Sequence, residues 1–274
     1  MSKIAQLFEH LRQTGRKALM PYVTMGYPAL ESALEIVPAI AEAGADLVEL
    51  GVPFSDPLAD GATIQAAGQK ALENGMSLSL CLDQAATLRA RGVTLPFVLM
   101  GYYNPIVRFG VERFARAAAE AGVDGVITPD LPPEEAEALY AALAAQDLDA
   151  IFLLAPTSDA TRVQAVVEKS TGFVYLVSLV GVTGARDTVS ADLAGFVARV
   201  RAATGKPLAV GFGIATPEQA AQVAQIADGV IVGSALVKTV GAAANPAEAA
   251  RAFVAGLRKG MDKSRANAFQ KVRS

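Results

Sequence analysis

The sequence has one cysteine, one histidine and no tryptophan among its 274 residues. Each scarcity excludes a class of chemistry. A Cys/His zinc site takes about four such ligands, and this chain offers Cys81 and His10 alone. A single cysteine forms no internal disulfide, which removes a secreted, cross-linked scaffold. Ser-His-Asp or Cys-His nucleophilic machinery would depend on His10, which lies in the polar N-terminal stretch SKIAQLFEHLRQTGRK. No apolar run approaches the ~20 residues of a membrane span, and no N-terminal segment reads as a signal peptide. Charge is balanced, 24 Lys+Arg against 27 Asp+Glu, so nothing points to nucleic acid or a membrane surface. The expectation is a cytoplasmic globular protein without a metal site. Its chemistry must rest on carboxylates, hydroxyls, lysines or backbone groups.

What the chain does have is a repeated phrase. Ala41-Glu42-Ala43-Gly44-Ala45-Asp46 leads into LVELG, and Ala119-Glu120-Ala121-Gly122-Val123-Asp124 leads into GVITP. A weaker echo, Ala224-Gln225-Ile226-Ala227-Asp228, leads into GVIVG. Each reads as an Ala-rich helix, a tight turn and a strand apolar on both faces, as buried parallel strands are. Extending that template predicts strands at 19–24, 46–52, 96–101, 124–128, 149–154, 173–178, 207–211 and 228–232. Helices are predicted at 29–43, 62–92, 109–121, 133–145, 158–169, 190–203, 216–226 and 246–258, with an extra one over the first ~16 residues. Ser158 and Thr216-Pro217 read as helix starts. Eight βα units with no break in composition, in a length near the ~250 residues typical of the fold, predict an α/β protein with a single (β/α)8 TIM barrel. An open doubly wound sheet is the alternative, and it would usually have fewer strands. The barrel is assigned residues 1–258, and residues 259–274 a basic, solvated C-terminal tail.

In a barrel, chemistry gathers at the C-terminal ends of the strands. The loops after the second and sixth predicted strands are long there: Pro53 to Gly61, and Leu179 to Thr188. Glu49 sits near the end of the second strand. A buried carboxylate needs a partner, yet none of the eight strand runs contains Lys or Arg. Desolvation would then make Glu49 a proton carrier near neutral pH. Asp60, Asp56 and Asp130 are candidate second carboxylates; Asp60-Gly61 could equally begin a helix, and Asp130, between prolines, could shape a turn. Gly211-Phe212-Gly213-Ile214 and Gly233-Ser234-Ala235 follow the seventh and eighth strands, where this fold usually holds phosphate on backbone N–H groups. Gly184 could add a third wall. Tyr22, Met100, Tyr102, Ile127, Leu153, Tyr175 and Phe212 would ring the mouth and suit a flat aromatic ligand, although core packing explains any one of them. Lys17, Lys70, Lys169, Lys206 and Lys238 lie before strands or within helices, so a Schiff-base aldolase lacks its lysine. These residues alone describe a phosphate-ester lyase or isomerase. A sugar-phosphate epimerase, or a silent phosphate-binding regulatory subunit, remains open at this point.

The stretch Val48-Glu49-Leu50-Gly51-Val52-Pro53-Phe54-Ser55-Asp56-Pro57-Leu58-Ala59-Asp60-Gly61 resembles the signature of the tryptophan synthase α-subunit family. Met25-Gly26-Tyr27-Pro28, Tyr102-Tyr103-Asn104-Pro105, Ala155-Pro156-Thr157-Ser158, Gly181-Val182-Thr183-Gly184 and Gly211-Phe212-Gly213-Ile214 match in order, across residues 1–258. The resemblance implies retro-aldol cleavage of indole-3-glycerol phosphate to indole and glyceraldehyde 3-phosphate. It implies Glu49 as the general acid/base and Asp60 as the carboxylate that stabilises positive charge at the indole nitrogen. Thr183 would position Asp60 when its loop closes. Gly184, Gly213, Gly233 and Ser234 would hold phosphate, and Tyr22, Met100, Tyr175 and Phe212 would face the indole. It also implies a β-subunit partner in an α2β2 heterotetramer, with pyridoxal phosphate on that partner and no cofactor in this chain.

Overall fold

Every predicted apolar run contributes a strand, and all the strands pair in parallel. The computed structural model describes residues 1–177, 191–211 and 213–273. It begins with α1 (Lys3–Gln13), β1 (Ala18–Thr24), α2 (Ala33–Glu42), β2 (Val48–Gly51), α3 (Ala62–Glu73) and α4 (Leu78–Ala90). β3 (Phe97–Met100), α5 (Tyr103–Phe109), α6 (Val111–Glu120), β4 (Gly125–Ile127), α7 (Glu137–Ala144), β5 (Asp149–Ile151) and β6 (Leu153–Leu154) follow. Then come α8 (Ala160–Lys169), β7 (Val174–Val177), α9 (Ala191–Ala203), β8 (Leu208–Gly211), α10 (Pro217–Ile226), β9 (Gly229–Val232), α11 (Ser234–Ala242) and α12 (Pro246–Arg273).

The sheet order is β5-β4-β3-β2-β1-β9-β8-β7-β6. Its two end strands are consecutive in the chain and separated only by Phe152, so the sheet curls into a nearly closed barrel. The predicted strand 149–154 is thus two short strands rather than one. Other departures are local. The predicted helix 62–92 is two helices, because Asn74 ends α3 and Ser77 caps α4 by accepting the Leu80 N–H. The helix predicted from residue 29 starts at Ala33, since the Ser32 hydroxyl accepts the Ala29 N–H and holds a turn ahead of it. The helices α5 and α11 had no counterpart in the periodicity. Asp159, not Ser158, caps α8, whereas Thr216 forms a full capping box with Gln219.

The barrel lumen is filled by inward residues such as Met20, Leu47, Val98, Ile151, Phe173 and Ile231, and α1 closes its lower end with Ile4, Phe8 and Leu11. Outward residues of the same strands, Leu19, Val48, Leu50 and Val210, pack under the helices. The alternation follows from the two-residue period of a strand.

The repeated phrase has a structural purpose. Gly44 and Gly122 take φ of +99° and +77°, the left-handed turn that closes each helix. The aspartate two residues later then holds an N–H at the start of the preceding strand. Asp46 accepts from Leu19 (2.9 Å), Asp124 from Phe97 (2.8 Å) and Asp228 from Leu208 (3.0 Å). Each also meets an arginine: Arg258 on Asp46, Arg89 on Asp124 and Arg201 on Asp228. The N-terminal end of the barrel is therefore laced by one device used three times.

Candidate active site

At the other end, β2 carries Glu49 inward, level in register with Tyr22 of β1 and Val98 of β3. Glu49 is 1% exposed, and its Oε1 has no hydrogen-bond partner. Burial alone pushes its carboxyl up to about 8. No cation offsets burial at Glu49, so its surroundings favour the protonated carboxyl.

Asp60 lies at the end of the loop that follows β2, just before the Gly61 cap of α3. Burial raises its carboxyl to about 6, and the Tyr102 hydroxyl, bonded to it, opposes the rise. The loop is strapped from two sides. The Tyr102 Oη accepts the Ala59 N–H at 3.0 Å, and its ring stands 5.3 Å from that of Phe54. Gln65 donates to the Asp60 carbonyl at 2.8 Å and to the Pro57 carbonyl at 3.4 Å. Of the other candidates, Asp56 is exposed and accepts from the Ser55 hydroxyl. Asp130 accepts the Tyr103 N–H, so it caps α5 rather than the helix after it.

Three tyrosines surround the two carboxyls. Tyr22 feels the charges of Asp60 and Glu49, and Tyr175 feels Glu49, Tyr22 and Asp60; burial, the largest influence, and these neighbours raise both phenols above their ordinary range. Tyr102 is raised likewise, by burial and then Asp60. Two of these rings depend on glycine. The Tyr22 hydroxyl lies 2.0 Å from where a Cβ on Gly51 would stand, and the Tyr175 hydroxyl 2.6 Å from a Cβ on Gly211. In each case the glycine is two residues beyond the tyrosine's register partner, Glu49 or Ala209. A side chain at either glycine would push the phenol away from the carboxyls. Met100 is half-buried beside Tyr22, and Ile127 is fully buried, paired with Met100 and Ile151.

Gly233 follows β9 and caps α11, whose first residue is the exposed Ser234. The free N–H groups and dipole of that helix start make it suited to an anion. Gly213 follows β8 with open space where a Cβ would be. Thr183, Gly184 and Phe212 lie outside the described residues. Sequence reasoning missed Thr24, Gly51 and Gln65. Thr24 could have been found as a polar residue two positions after Tyr22, hence on its face of the strand. Three of the lysines are engaged elsewhere: Lys17 pairs with Asp228 and Lys70 with Glu73, while Lys206 donates to the Val167 and Ser170 carbonyls. A groove of about 850 Å³ lies at the N-terminal end of the barrel, lined by Arg16, Lys17, Arg258 and Asp262 among others. Its cations are largely paired with aspartates, so chemistry and not volume marks the site.

The site has close relatives. Residues 8–265 match the family model described as tryptophan synthase alpha chain. The tryptophan synthase alpha chain of Chloroflexus aggregans is 56% identical over 86% of this chain and 89% of its own length. That of Dehalococcoides mccartyi is 49% identical over 96% of this chain and all of its own. Among solved structures, tryptophan synthase subunit alpha from Legionella pneumophila superposes with a TM-score of 0.90 at 38% identity, covering 96% of this chain and 99% of that one. Tryptophan synthase from M. tuberculosis gives 0.86 at 39% identity, covering 95% of this chain and 100% of that one. With the barrel, the buried glutamate and the strapped aspartate in agreement, the chain belongs to the tryptophan synthase alpha chain family.

Proposed function

We propose that Glu49 and Asp60 divide the acid/base work of this lyase, which cleaves indole-3-glycerol phosphate to indole and glyceraldehyde 3-phosphate and works with a β subunit. One observation carries the assignment: Glu49 is buried in the lumen with no partner on its Oε1. Burial therefore pushes its carboxyl up to about 8, whereas the Tyr102 hydroxyl bonded to Asp60 opposes the same effect and Asp60 rises only to about 6. At neutral pH the first is an acid and the second an anion, which is the separation that acid/base pairs require. Glu49 gives its proton to the ring carbon that bears the glycerol chain. The bond to that chain breaks as the adjacent hydroxyl becomes the aldehyde, and the hydroxyl proton returns to Glu49. Proton count and electron count both close. Asp60 faces the indole N–H and stabilises the positive charge that develops there, with Thr183 as its partner. Tyr22, Met100, Tyr102, Ile127, Tyr175 and Phe212 border the indole. Gly184, Gly213, Gly233 and Ser234 hold the phosphate, supported by the start of α11.

The partner is a β subunit in an α2β2 assembly that receives indole. Leu58, 92% exposed on the loop after β2, and Val107, 51% exposed on α5, are apolar side chains that such a partner would cover. The pyridoxal phosphate belongs to that partner in this reading, in keeping with the lysines' distance from the strand ends. A cytoplasmic location, and the division into barrel 1–258 and basic tail 259–274, complete the proposal; among the described residues no helix is long and apolar enough to cross a membrane.

The test is indole release from indole-3-glycerol phosphate by the purified chain, alone and with a β subunit. Release is expected to be slow alone and faster in the complex. Glu49→Gln should lower it about a thousandfold, within the range of a lost general acid. A folded Glu49→Gln chain that still releases indole at the normal rate sinks the mechanism.

A further inference from the structure

Thr24 ends β1 on the lumen face, two residues after Tyr22. It is 2% exposed, and its Oγ1 lacks a hydrogen bond of ordinary geometry, although it lies near enough to the Tyr22 phenol to lower it as a donor would. A buried hydroxyl in that state costs stability, and an isosteric valine would relieve the cost. Its surroundings say what it could serve. Thr24 is the register partner of Gly51, and the Tyr22 hydroxyl occupies the space over Gly51 that a side chain would fill. The Thr24 hydroxyl and the Tyr22 phenol thus share one glycine. The other buried orphan here, Glu49 Oε1, sits on the residue that is Tyr22's own register partner. Two unpartnered polar atoms flank one phenol.

We propose that Thr24 is a positioning residue, whose hydroxyl donates to the Tyr22 oxygen and so directs the phenol proton at the Glu49 carboxylate. A phenol has one proton to give and lone pairs to accept with. Once Thr24 occupies a lone pair, the remaining proton serves the group that lacks a donor. Glu49 lacks one whenever it has passed its own proton to the substrate. Four groups face the Tyr22 phenol: Glu49 from β2, Asp60 from the loop before α3, Tyr102 beyond β3 and Tyr175 from β7. The two carboxylates raise its proton affinity, and Thr24 is close enough to lower it. The phenol therefore stays a donor and does not compete as an acid.

This inference rests on Glu49 being the general acid, and the experiment separates the two. Thr24→Val, Thr24→Ser, Tyr22→Phe and the Thr24→Val/Tyr22→Phe double variant are assayed for indole release with the β subunit present, across pH. Thr24→Val should keep KM within about twofold and lower kcat about tenfold, the scale of lost orientation. The alkaline limb of its rate profile should move up, because a carboxylate that loses a donor holds its proton to higher pH. Thr24→Ser should restore rate and profile. Tyr22→Phe should reproduce the Thr24→Val shift, and the double variant should add nothing, as for residues acting through one another. A Thr24→Val chain with the normal profile, or with a lower kcat and earlier melting but no shift of the limb, overturns the proposal. So does additivity with Tyr22→Phe. Normal activity in Glu49→Gln would instead overturn the acid/base assignment itself.

Discussion

Carboxylates stand at both ends of this barrel and live under opposite conditions. At the N-terminal end, Asp46, Asp124 and Asp228 each hold a strand N–H and an arginine. Asp228 shows the effect of partners most fully: burial pushes its carboxyl up, but the Leu208 N–H, Arg201 and Lys17 together bring it below the usual range. At Asp46 burial still outweighs Arg258 and the Leu19 N–H, and the carboxyl stays raised. At the C-terminal end Glu49 has neither cation nor N–H, and burial acts on it unopposed. The strands are equally apolar at both ends, so what separates structural from chemical carboxylates is their partners rather than their burial. Stability is concentrated where charge is answered, and reactivity where it is not.

The contrast can be broken most forcefully at Asp46. Its pair with Arg258 is nine-tenths buried on both sides. Asp46→Ala removes the guanidinium's buried carboxylate and leaves it only the half-exposed Asp262 at 3.7 Å, and chemical denaturation should show a loss of about 3–5 kcal/mol. Indole release per folded molecule should not change. Glu49→Gln should do the reverse. The folded chain binds the Glu49 proton more tightly than the unfolded chain, whose carboxyl keeps the ordinary value of 4.5. Wild-type stability therefore falls as pH rises from 4.5 through 8. The Gln variant lacks that slope and should gain about 4 kcal/mol relative to wild type between about pH 5 and about pH 8.5, read from denaturation midpoints at the two pH values. A variant with an unaltered slope would remove the claim that Glu49 is buried against its charge. The smallest effect belongs to the surface. Arg162 and Glu134 pair at 2.7 Å with side chains 39% and 54% exposed, and Glu134→Gln should change the midpoint by less than about 0.5 kcal/mol.

The sequence reveals different amounts of these two ends. The helix-turn-strand unit is legible because its parts are local: an alanine-rich helix, a glycine at +99° or +77°, and a short apolar run. The aspartate in the turn was equally visible, but its arginine was not. Arg89 reaches Asp124 across 35 positions, and Arg258 reaches Asp46 across 212. At the site, Glu49 stood out as a charge in an apolar strand without a matching cation. Asp60 needed the family signature, since a loop aspartate before a glycine also reads as a cap. Gly51 and Gly211 read as strand ends, because the phenols that need their space come from neighbouring strands. The short helices α5 and α11 escaped for another reason: Asn104-Pro105 mimics a turn, and Gly233-Ser234 reads as a loop.

The reach of Arg258 also bears on how the molecule is made. It ties α12 to the Gly44 and Lys17 carbonyls as well as to Asp46, and β1 pairs with β9. A ribosome delivers Asp46 and one edge of β1 early, and their partners near the end of synthesis. The growing chain therefore carries an unpaired β1 edge until β9 emerges, and Asp46 has Arg16 but not Arg258 until α12 follows. Closure of this barrel is a late event of synthesis, and the nascent protein depends until β9 arrives on whatever shields that edge.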